Sequence, residues 1–212
     1  MQYTKELVVA AHARSLNWLT DIPAEVKKTI YRKGQKTNSS DEIFMEKNVG
    51  RCVHTFFSHI YNRYDTLAQY TYFVQDYPFD HWLDVIECLN YSEIDMKKTA
   101  TIQCGGYYGY VNFGTVLQPA SQVGDGIVFK CMTGNGIDVD RWYRMLFLEE
   151  PPEIYEFNPG GHFVITKEHV HLRNKEFYKQ VIDILEADEI APYGIERLEN
   201  YIFNPKFETH IK

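Results

Sequence analysis

Short apolar runs that end in polar residues recur in the first half of the chain. Leu7 to Ala11 is a continuous apolar run followed by polar residues, and Gln69 to Gln75 is rich in aromatic and β-branched residues up to Asp76. Runs of this kind are typical of strands buried on both faces of a parallel sheet. Lys28 to Lys33 predicts another strand between them, and His162 to Ile165 predicts a later one.

Helical periodicity alternates with these runs. A helix that opens at Gly50-Arg51 carries one apolar face, formed at spacings of three and four by Val53, Phe56, Phe57, Ile60 and Tyr64. Further helices are predicted at Ser15 to Leu19, at Trp82 to Leu89, at Glu176 to Ala187 with Asn174 as N-cap, and near Ile195 to Ile202. Residues 35–48 and the glycine-rich middle of the chain predict loops, with a short strand at Ile127 to Lys130.

This alternation of strands and helices continues without a repeat, a low-complexity stretch or a clear linker. It predicts one α/β domain over residues 1–212, with a Rossmann-like mixed central β-sheet flanked by helices. A chain of 212 residues is long enough to bury a substantial core without disulfides or a structural metal.

Composition narrows the function classes. The formal net charge is −7 and basic residues form no stripe, which argues against a nucleic-acid partner. The four cysteines lie far apart and favour neither a zinc site nor a disulfide framework. No apolar run has the length of a membrane span, so we expect no membrane segment and a cytoplasmic location, which is the host cytoplasm for a viral protein.

The densest cluster of reactive side chains follows the strand that ends at Gln75. Asp76, Asp80 and His81 lie there, and ligands of open α/β sheets bind beyond the carboxyl ends of strands. Two carboxylates and an imidazole suit Mn²⁺ or Mg²⁺, which would neutralise a departing diphosphate. The alternative is structural, with Asp76 capping a turn and Asp80 capping the following helix.

Two arginines are candidates for binding phosphate. Arg14 follows the first strand and Arg51 begins a helix, where backbone amides and the positive dipole end favour anions. A solvated surface position is the alternative for Arg14. Glycine turns at Pro159 to His162 and at Gly105 to Gly109 either bring the backbone close to a ligand or only form turns.

Several common enzyme signatures are absent from the sequence. We find no phosphate-binding P-loop, no dinucleotide-binding glycine motif, no nucleophile elbow and no H-E-x-x-H zinc motif. This disfavours P-loop nucleotide triphosphatases, dinucleotide-dependent enzymes, serine hydrolases and zinc proteases.

Several blocks of the chain together carry a family resemblance. They are Leu7 to Arg14 with Trp18-Leu19, Asn48 to Arg51, His54 to Phe56, His59-Ile60, Tyr64 to Ala68, Phe73 to His81, and Gly161 to Ile165 with Phe177-Tyr178. The chain thereby resembles a glycosyltransferase-like family of fungi, bacteria and large DNA viruses. Within that family, the likeness is greatest to the N-terminal glycosyltransferase domain of a multi-domain chlorella-virus protein that decorates capsid glycans.

The resemblance implies a GT-A-like fold, a UDP-sugar donor and a glycan acceptor, with a hexose or deoxyhexose transferred. It places nucleotide-sugar binding in residues 1–90 and the acceptor part in residues 91–212 of a domain that can belong to a longer protein. By analogy, the nucleotide-sugar would be bound by Ala10, Ala11, His12, Arg14, Arg51, Gln75, Asp76 and Tyr77. The implied catalytic residues are Asp76, Asp80 and His162, and the implied ligands of Mn²⁺ (or Mg²⁺) are Asp76, Asp80 and His81.

The chain departs from the family's pattern at the metal motif. Pro78 stands where the second aspartate of Asp-x-Asp would lie, so Asp80 or a non-adjacent ligand would have to replace it. Whether transfer inverts or retains the anomeric configuration stays open. An inverting enzyme needs a base, for which Asp125, Asp138, Asp140 and His162 are candidates.

Two other function classes compete with a glycosyltransferase. A non-catalytic carbohydrate- or nucleotide-binding module would use the same aromatic residues and glycine turns without turnover. A metal-dependent phosphoesterase would also place carboxylates and histidines around an ion, although its sites usually gather more of them.

Overall fold

The computed structural model describes residues 4–34, 36, 39–80, 82, 85–90, 129–131, 136–153, 155–157 and 161–203. The main sheet consists of β1 (Lys5–Ala11), β2 (Lys27–Lys33), β3 (Glu42–Met45), β4 (Tyr70–Gln75) and β7 (Phe163–Thr166), and β5 (Phe129–Cys131) pairs with β6 (Tyr155–Phe157). The helices are α1 (Arg51–Arg63), α2 (Val85–Asn90), α3 (Val139–Phe147), α4 (Lys167–Val170), α5 (Lys175–Ala187) and α6 (Ala191–Phe203). Single 3₁₀ turns cover Asn17–Asp21, Tyr64–Thr66 and Pro78–Asp80.

The main sheet is mostly parallel. Its order is β3-β2-β1-β4-β7, in which the first four strands run parallel and β7 runs antiparallel to β4. The chain moves outward from β1 to β2 and β3 and then returns to β4 on the other side of β1. The strand order therefore reverses between β1 and β4, whose ends pair at Ala10 and Gln75.

Both faces of the central strands are buried. Val8 and Phe73 point into one apolar core together with α1, α3, α5 and α6, and Val9 and Val74 point into a second core that includes α2. Each of these four side chains is fully buried. This explains why the strands read as continuous apolar runs, since alternation is lost when neither face contacts water.

The predicted mixed α/β sheet flanked by helices is confirmed. The strands and helices that correspond to β1, β2, β4, β7, α1, α5 and α6 form close to their predicted bounds. Asn174 caps α5 as predicted, because its side-chain oxygen accepts a hydrogen bond of 2.9 Å from the Phe177 amide.

Three local predictions were wrong. Residues 42–45 form the edge strand β3 rather than part of a loop; Arg32 fixes it with two hydrogen bonds of 3.0 and 2.6 Å to the carboxylate of Glu42. The helix expected from Trp82 does not include that residue, because a 3₁₀ turn comes first and the Trp82 amide bonds to Pro78 O at 2.8 Å; the described helix covers Val85–Asn90. The short helix expected from Ser15 is a 3₁₀ turn that starts at Asn17.

The middle of the chain is described only in part. The strand predicted at Ile127 to Lys130 overlaps β5, although residues 127 and 128 lie outside the described residues, as do Gly105 to Gly109. The periodicity analysis missed helix α3, which is capped by Asp138. No helix within the described ranges has the length and apolarity needed to cross a membrane.

Gly194 allows α6 to pack closely on α3. A Cβ atom built on Gly194 would overlap the indole ring of Trp142, which is 2% exposed. We expect Gly194→Ala to lower the free energy of unfolding by about 1–3 kcal/mol, because the buried ring must move. Urea denaturation would measure this. Gly136→Ala is the comparison variant, since its Cβ would meet no described atom within 4 Å and its cost comes from its positive φ of 80°; no loss of stability in Gly194→Ala would contradict the packing explanation.

Candidate functional site

A cleft opens at the point where the strand order reverses. It has a volume of about 370 Å³ and lies at the carboxyl ends of β1, β2 and β4 next to the start of α1. Its walls are formed by Ala10, Ala11, His12, Lys33, Asn48, Arg51, Cys52, Gln75 and Asp76. This is the place where open α/β sheets bind their ligands, and the volume is within the usual range for small-molecule sites.

Asp76 connects the end of β4 to the turn after β1. Its Oδ2 atom accepts hydrogen bonds from the backbone amides of His12, Ala13 and Arg14 at 3.1, 3.0 and 2.9 Å. Partial burial acts to raise the pKa of Asp76, but these amide hydrogen bonds outweigh burial and lower it below its usual value. Asp76 is therefore an anion whose charge is already partly compensated by the backbone.

An exposed group of side chains lies beyond Asp76. Arg14 Nη1 is 3.0 Å from Asp80 Oδ2, and the guanidinium carbon of Arg14 lies 5.0 Å from the centroid of the Tyr77 ring. On the same turn, the indole nitrogen of Trp18 donates to the backbone oxygen of Asp76 at 2.8 Å. Arg14, Tyr77 and Asp80 are thus brought together beside the cleft but are not among its lining residues.

The start of α1 forms the opposite wall. Gly50, the N-cap, has φ 62°, and Arg51, the first helical residue, has φ 51°, which is uncommon for a residue with a side chain. A Cβ atom on Gly50 would lie 2.6 Å from His54 Cβ, so glycine is required there. Gly50 has no side chain to cap α1, whose first residues Arg51 and Cys52 line the cleft, and a helix start of this kind favours anions.

Lys33, at the end of β2, holds the start of α1 in place. Its ammonium donates to the backbone oxygens of Val49 and Arg51, both at 2.6 Å, and the residue is 5% exposed. Burial lowers the pKa of Lys33 to about 8, so the side chain is mostly protonated at neutral pH. Lys33 therefore adds positive charge at the floor of the cleft.

A second, smaller compartment adjoins the cleft. It has a volume of about 140 Å³ and shares the residues Arg51, Cys52 and Gln75 with the larger one. The remaining lining residues are Val53, Gly161, Pro192, Tyr193 and Glu196. The N-terminal turns of α6 thus face the carboxyl end of β4.

The thiol of Cys52 lies between the two compartments and is expected to be unreactive. Burial raises the pKa of Cys52 to about 12, with further contributions from Glu196 and Glu199. A neutral thiol is a weak nucleophile. This disfavours cysteine-based hydrolase chemistry at the cleft.

Glu199 lies one turn beyond Glu196 on α6 and is 2% exposed. Its Oε1 atom has no hydrogen-bond partner among the described residues. Burial, and then the charge of Glu196, raise the pKa of Glu199 well above its usual value. This buried position therefore favours the protonated form of Glu199.

The predicted site residues divide into five groups by position. Ala10, Ala11, His12, Arg51, Gln75 and Asp76 line the larger cleft, and Arg14, Tyr77 and Asp80 lie beside it. His162 is buried, with Nε2 3.4 Å from the Gln75 amide nitrogen that donates to it, and it supports β4 rather than lining either compartment. Asp138 caps α3 and Asp140 accepts a hydrogen bond from the Tyr155 hydroxyl, while His81 and Asp125 lie outside the described residues.

The described residues offer no assembled metal site. Across those ranges, no group of three or more His, Cys, Asp and Glu side chains is arranged to hold an ion. All three amide hydrogen bonds to Asp76 reach Oδ2, and Asp80 pairs with Arg14, so an ion would have to use Asp76 Oδ1 and displace Arg14 from Asp80.

Sequence reasoning missed part of the site. The lining residues that were not predicted are Lys33, Asn48, Cys52, Tyr193 and Glu196. Lys33 had a detectable signal, since it ends a predicted strand at the same edge as Gln75. Tyr193 and Glu196 had none, because only the docking of α6 brings them to the cleft.

Comparison with known protein families shows to which family the chain belongs. The model of the family described as "Protein of unknown function (DUF3431)" matches residues 7–211. The chain belongs to the DUF3431 family. No curated protein and no solved structure matches it.

The DUF3431 match corrects the family resemblance drawn from the sequence. Membership in a glycosyltransferase-like family, and the likeness to a chlorella-virus domain, were wrong as family assignments, because the family that matches is DUF3431 and no glycosyltransferase is found beside it. The residue blocks on which the resemblance was based occur in a DUF3431 protein and do not indicate a glycosyltransferase family. The function of the chain must therefore be inferred from the cleft.

Asp76 and Asp80 differ in structural importance, which substitution can test. We expect Asp76→Ala to lower the free energy of unfolding by about 2 kcal/mol, because three amides lose a charged acceptor. Asp80→Ala should cost less than about 1 kcal/mol, since its ion pair with Arg14 is half exposed. Urea denaturation at pH 7 measures both; an equal cost would contradict the capping role of Asp76.

The same comparison has a pH dependence. The folded-state pKa of Asp76 is lowered, so its stabilising contribution is present above the unfolded pKa and is lost as pH falls through the folded pKa. The stability difference between wild type and Asp76→Ala should therefore shrink on acidification below the usual pKa of an aspartate. A difference that stays constant down to strongly acidic pH would contradict this assignment.

Glu199 should show the opposite dependence. Its folded-state pKa is raised, so as pH rises above the usual value of 4.5 the unfolded chain ionises first and folding loses stability. We expect Glu199→Gln to gain melting temperature relative to wild type as pH rises above 4.5. Glu189→Gln, an exposed change in the turn before α6, is the control and should show no such trend.

Proposed function

We propose that this DUF3431 protein is a glycosyltransferase that transfers a hexose or deoxyhexose from a UDP-sugar to a glycan acceptor. The observation that carries the proposal is the position of the cleft. It lies at the carboxyl ends of β1 and β4, where the strand order reverses, and nucleotides bind at such switch points in doubly wound α/β proteins.

The charges of the larger cleft support an anionic ligand. Arg51, Lys33 and the first amides of α1 converge there, while the negative charge of Asp76 is held by three backbone amides. A diphosphate would find both guanidinium donors and a helix N-terminus. The apolar wall at Ala10 and Ala11 leaves room for a flat base.

The order and directions of the strands also support a GT-A-like fold. Four parallel strands followed by the antiparallel β7 agree with a GT-A-like arrangement, and β4 would deliver Asp76 to the donor. The likeness is one of fold, and fold alone does not establish chemistry.

Mn²⁺ or Mg²⁺ is retained in the proposal only as a partner of the bound diphosphate. The described residues do not by themselves fit a complete metal site. The proposed roles of Arg51, Lys33 and Asp76 do not depend on an ion. When bound, such an ion would neutralise charge on the leaving diphosphate.

The chain's own residues would act mainly through charge and position. Arg51 and Lys33 would stabilise the diphosphate as the bond to the sugar breaks, which favours departure of the nucleotide. Asp76 would hold the turn at residues 12–14 in the shape that the nucleotide needs.

We further propose that the protein is cytoplasmic and that its acceptor is a capsid glycan.

Calorimetric titration with UDP and UDP-glucose tests the donor site directly. Wild type should bind both, and Arg51→Ala should weaken both by about ten-fold or more because a charge-assisted contact to phosphate is lost. Arg144→Ala, which removes an arginine half exposed on α3, is the matched control and should bind like wild type. Repeating the titration with Mn²⁺ and with chelator tests the ion.

Two results would decide against the proposal. Failure of wild type to bind any uridine nucleotide would remove the donor site altogether. Binding without release of sugar from UDP-glucose, in the presence of Mn²⁺ and glycan acceptors, would favour a non-catalytic binding module.

A further inference from the structure

The smaller compartment differs in character from the cleft beside it. The larger cleft gathers cations and amide donors, whereas the smaller one adds the carboxylate of Glu196 and the ring of Tyr193. An anion would be repelled by Glu196. The small compartment therefore suits a neutral polar group attached to an anion in the larger cleft.

The lining groups specify what that neutral group must offer. A carboxylate such as Glu196 only accepts hydrogen bonds, the guanidinium of Arg51 only donates them, and the amide of Gln75 does both. Hydroxyl groups both donate and accept, so a polyhydroxylated ring offers a hydrogen-bonding group suited to each of the three side chains. A purely apolar group offers none.

The walls of the compartment are also shaped for a ring. Tyr193 is held in place by Arg51, which donates to its hydroxyl at 2.8 Å and lies 5.1 Å from the ring centroid. The Tyr193 side chain is partly exposed, and an aromatic face packs well on the C–H face of a sugar.

Gly161 keeps the compartment open. A Cβ atom built there would lie 3.5 Å from Cys52 Sγ and 4.0 Å from Gln75 Nε2, at the junction of the two compartments, and its φ of 61° disfavours any side chain. The backbone thereby leaves space between β7 and α1 that a side chain would occupy.

We propose that the small compartment binds the sugar of the nucleotide-sugar, and that Glu196 recognises the sugar by accepting hydrogen bonds from its hydroxyl groups. This inference rests on the proposed function, since the nucleotide must occupy the larger cleft. It places the bond between diphosphate and sugar beside the shared residues Arg51, Cys52 and Gln75.

Titration of Glu196→Gln and Glu196→Ala with UDP and with UDP-glucose tests this site. The binding constants for UDP should stay within about two-fold of wild type, whereas UDP-glucose should bind Glu196→Ala roughly ten-fold more weakly, because hydrogen bonds to a charged acceptor are lost. Glu196→Gln, which keeps the shape and one acceptor oxygen, should lie between wild type and Glu196→Ala. Glu189→Ala is the control and should match wild type with both ligands.

The outcomes separate this inference from the proposed function. If UDP binds every variant as it binds wild type, and UDP-glucose does as well, the sugar lies elsewhere and the inference is overturned while the donor site stands. If Glu196→Gln binds UDP more tightly, the terminal phosphate occupies the small compartment, which also overturns it. If wild type binds neither ligand, the proposed function fails and this inference fails with it.

Discussion

Burial of β1 and β4 on both faces is the constraint on which the rest of the structure depends. Val8 and Phe73 point into one core and Val9 and Val74 into the other, so the central residues of these strands are apolar. The polar side chains that line the cleft therefore lie where the strands end. Because the strand order reverses between β1 and β4, their ends also leave a crevice that no crossover connection fills.

The crevice becomes a site through contacts that act on the backbone. A carboxylate oxygen of Asp76 organises three consecutive amides, and the ammonium of Lys33 binds two carbonyl oxygens at the start of α1. Farther along the chain, Glu186 on α5 binds Lys47 at 2.5 Å and His54 at 3.2 Å, which anchors the same helix start from outside. The uncommon φ of Arg51 persists because these contacts hold the segment on both sides.

Charge is distributed unevenly between the two compartments, and this gives the site a direction. Lys33 and Arg51 line the larger cleft, whereas Glu196 of α6 lines only the smaller compartment. A ligand with an anionic part and a neutral hydroxylated part would be oriented by this difference before any chemistry occurs. The neutral thiol of Cys52 between the compartments adds no charge of its own.

The sequence by itself determined the fold class, the central strands and part of the cleft. Apolar runs that end at Ala11 and Gln75 mark strands buried on both faces, and the carboxyl ends of parallel strands must meet at one edge, so His12 and Asp76 could be placed together. Only the tertiary structure decided the roles. It showed that Asp76 caps a turn, brought Glu196 of α6 to the cleft and paired the short edge strand β3, because these contacts join segments that are distant in the chain and leave no local periodicity.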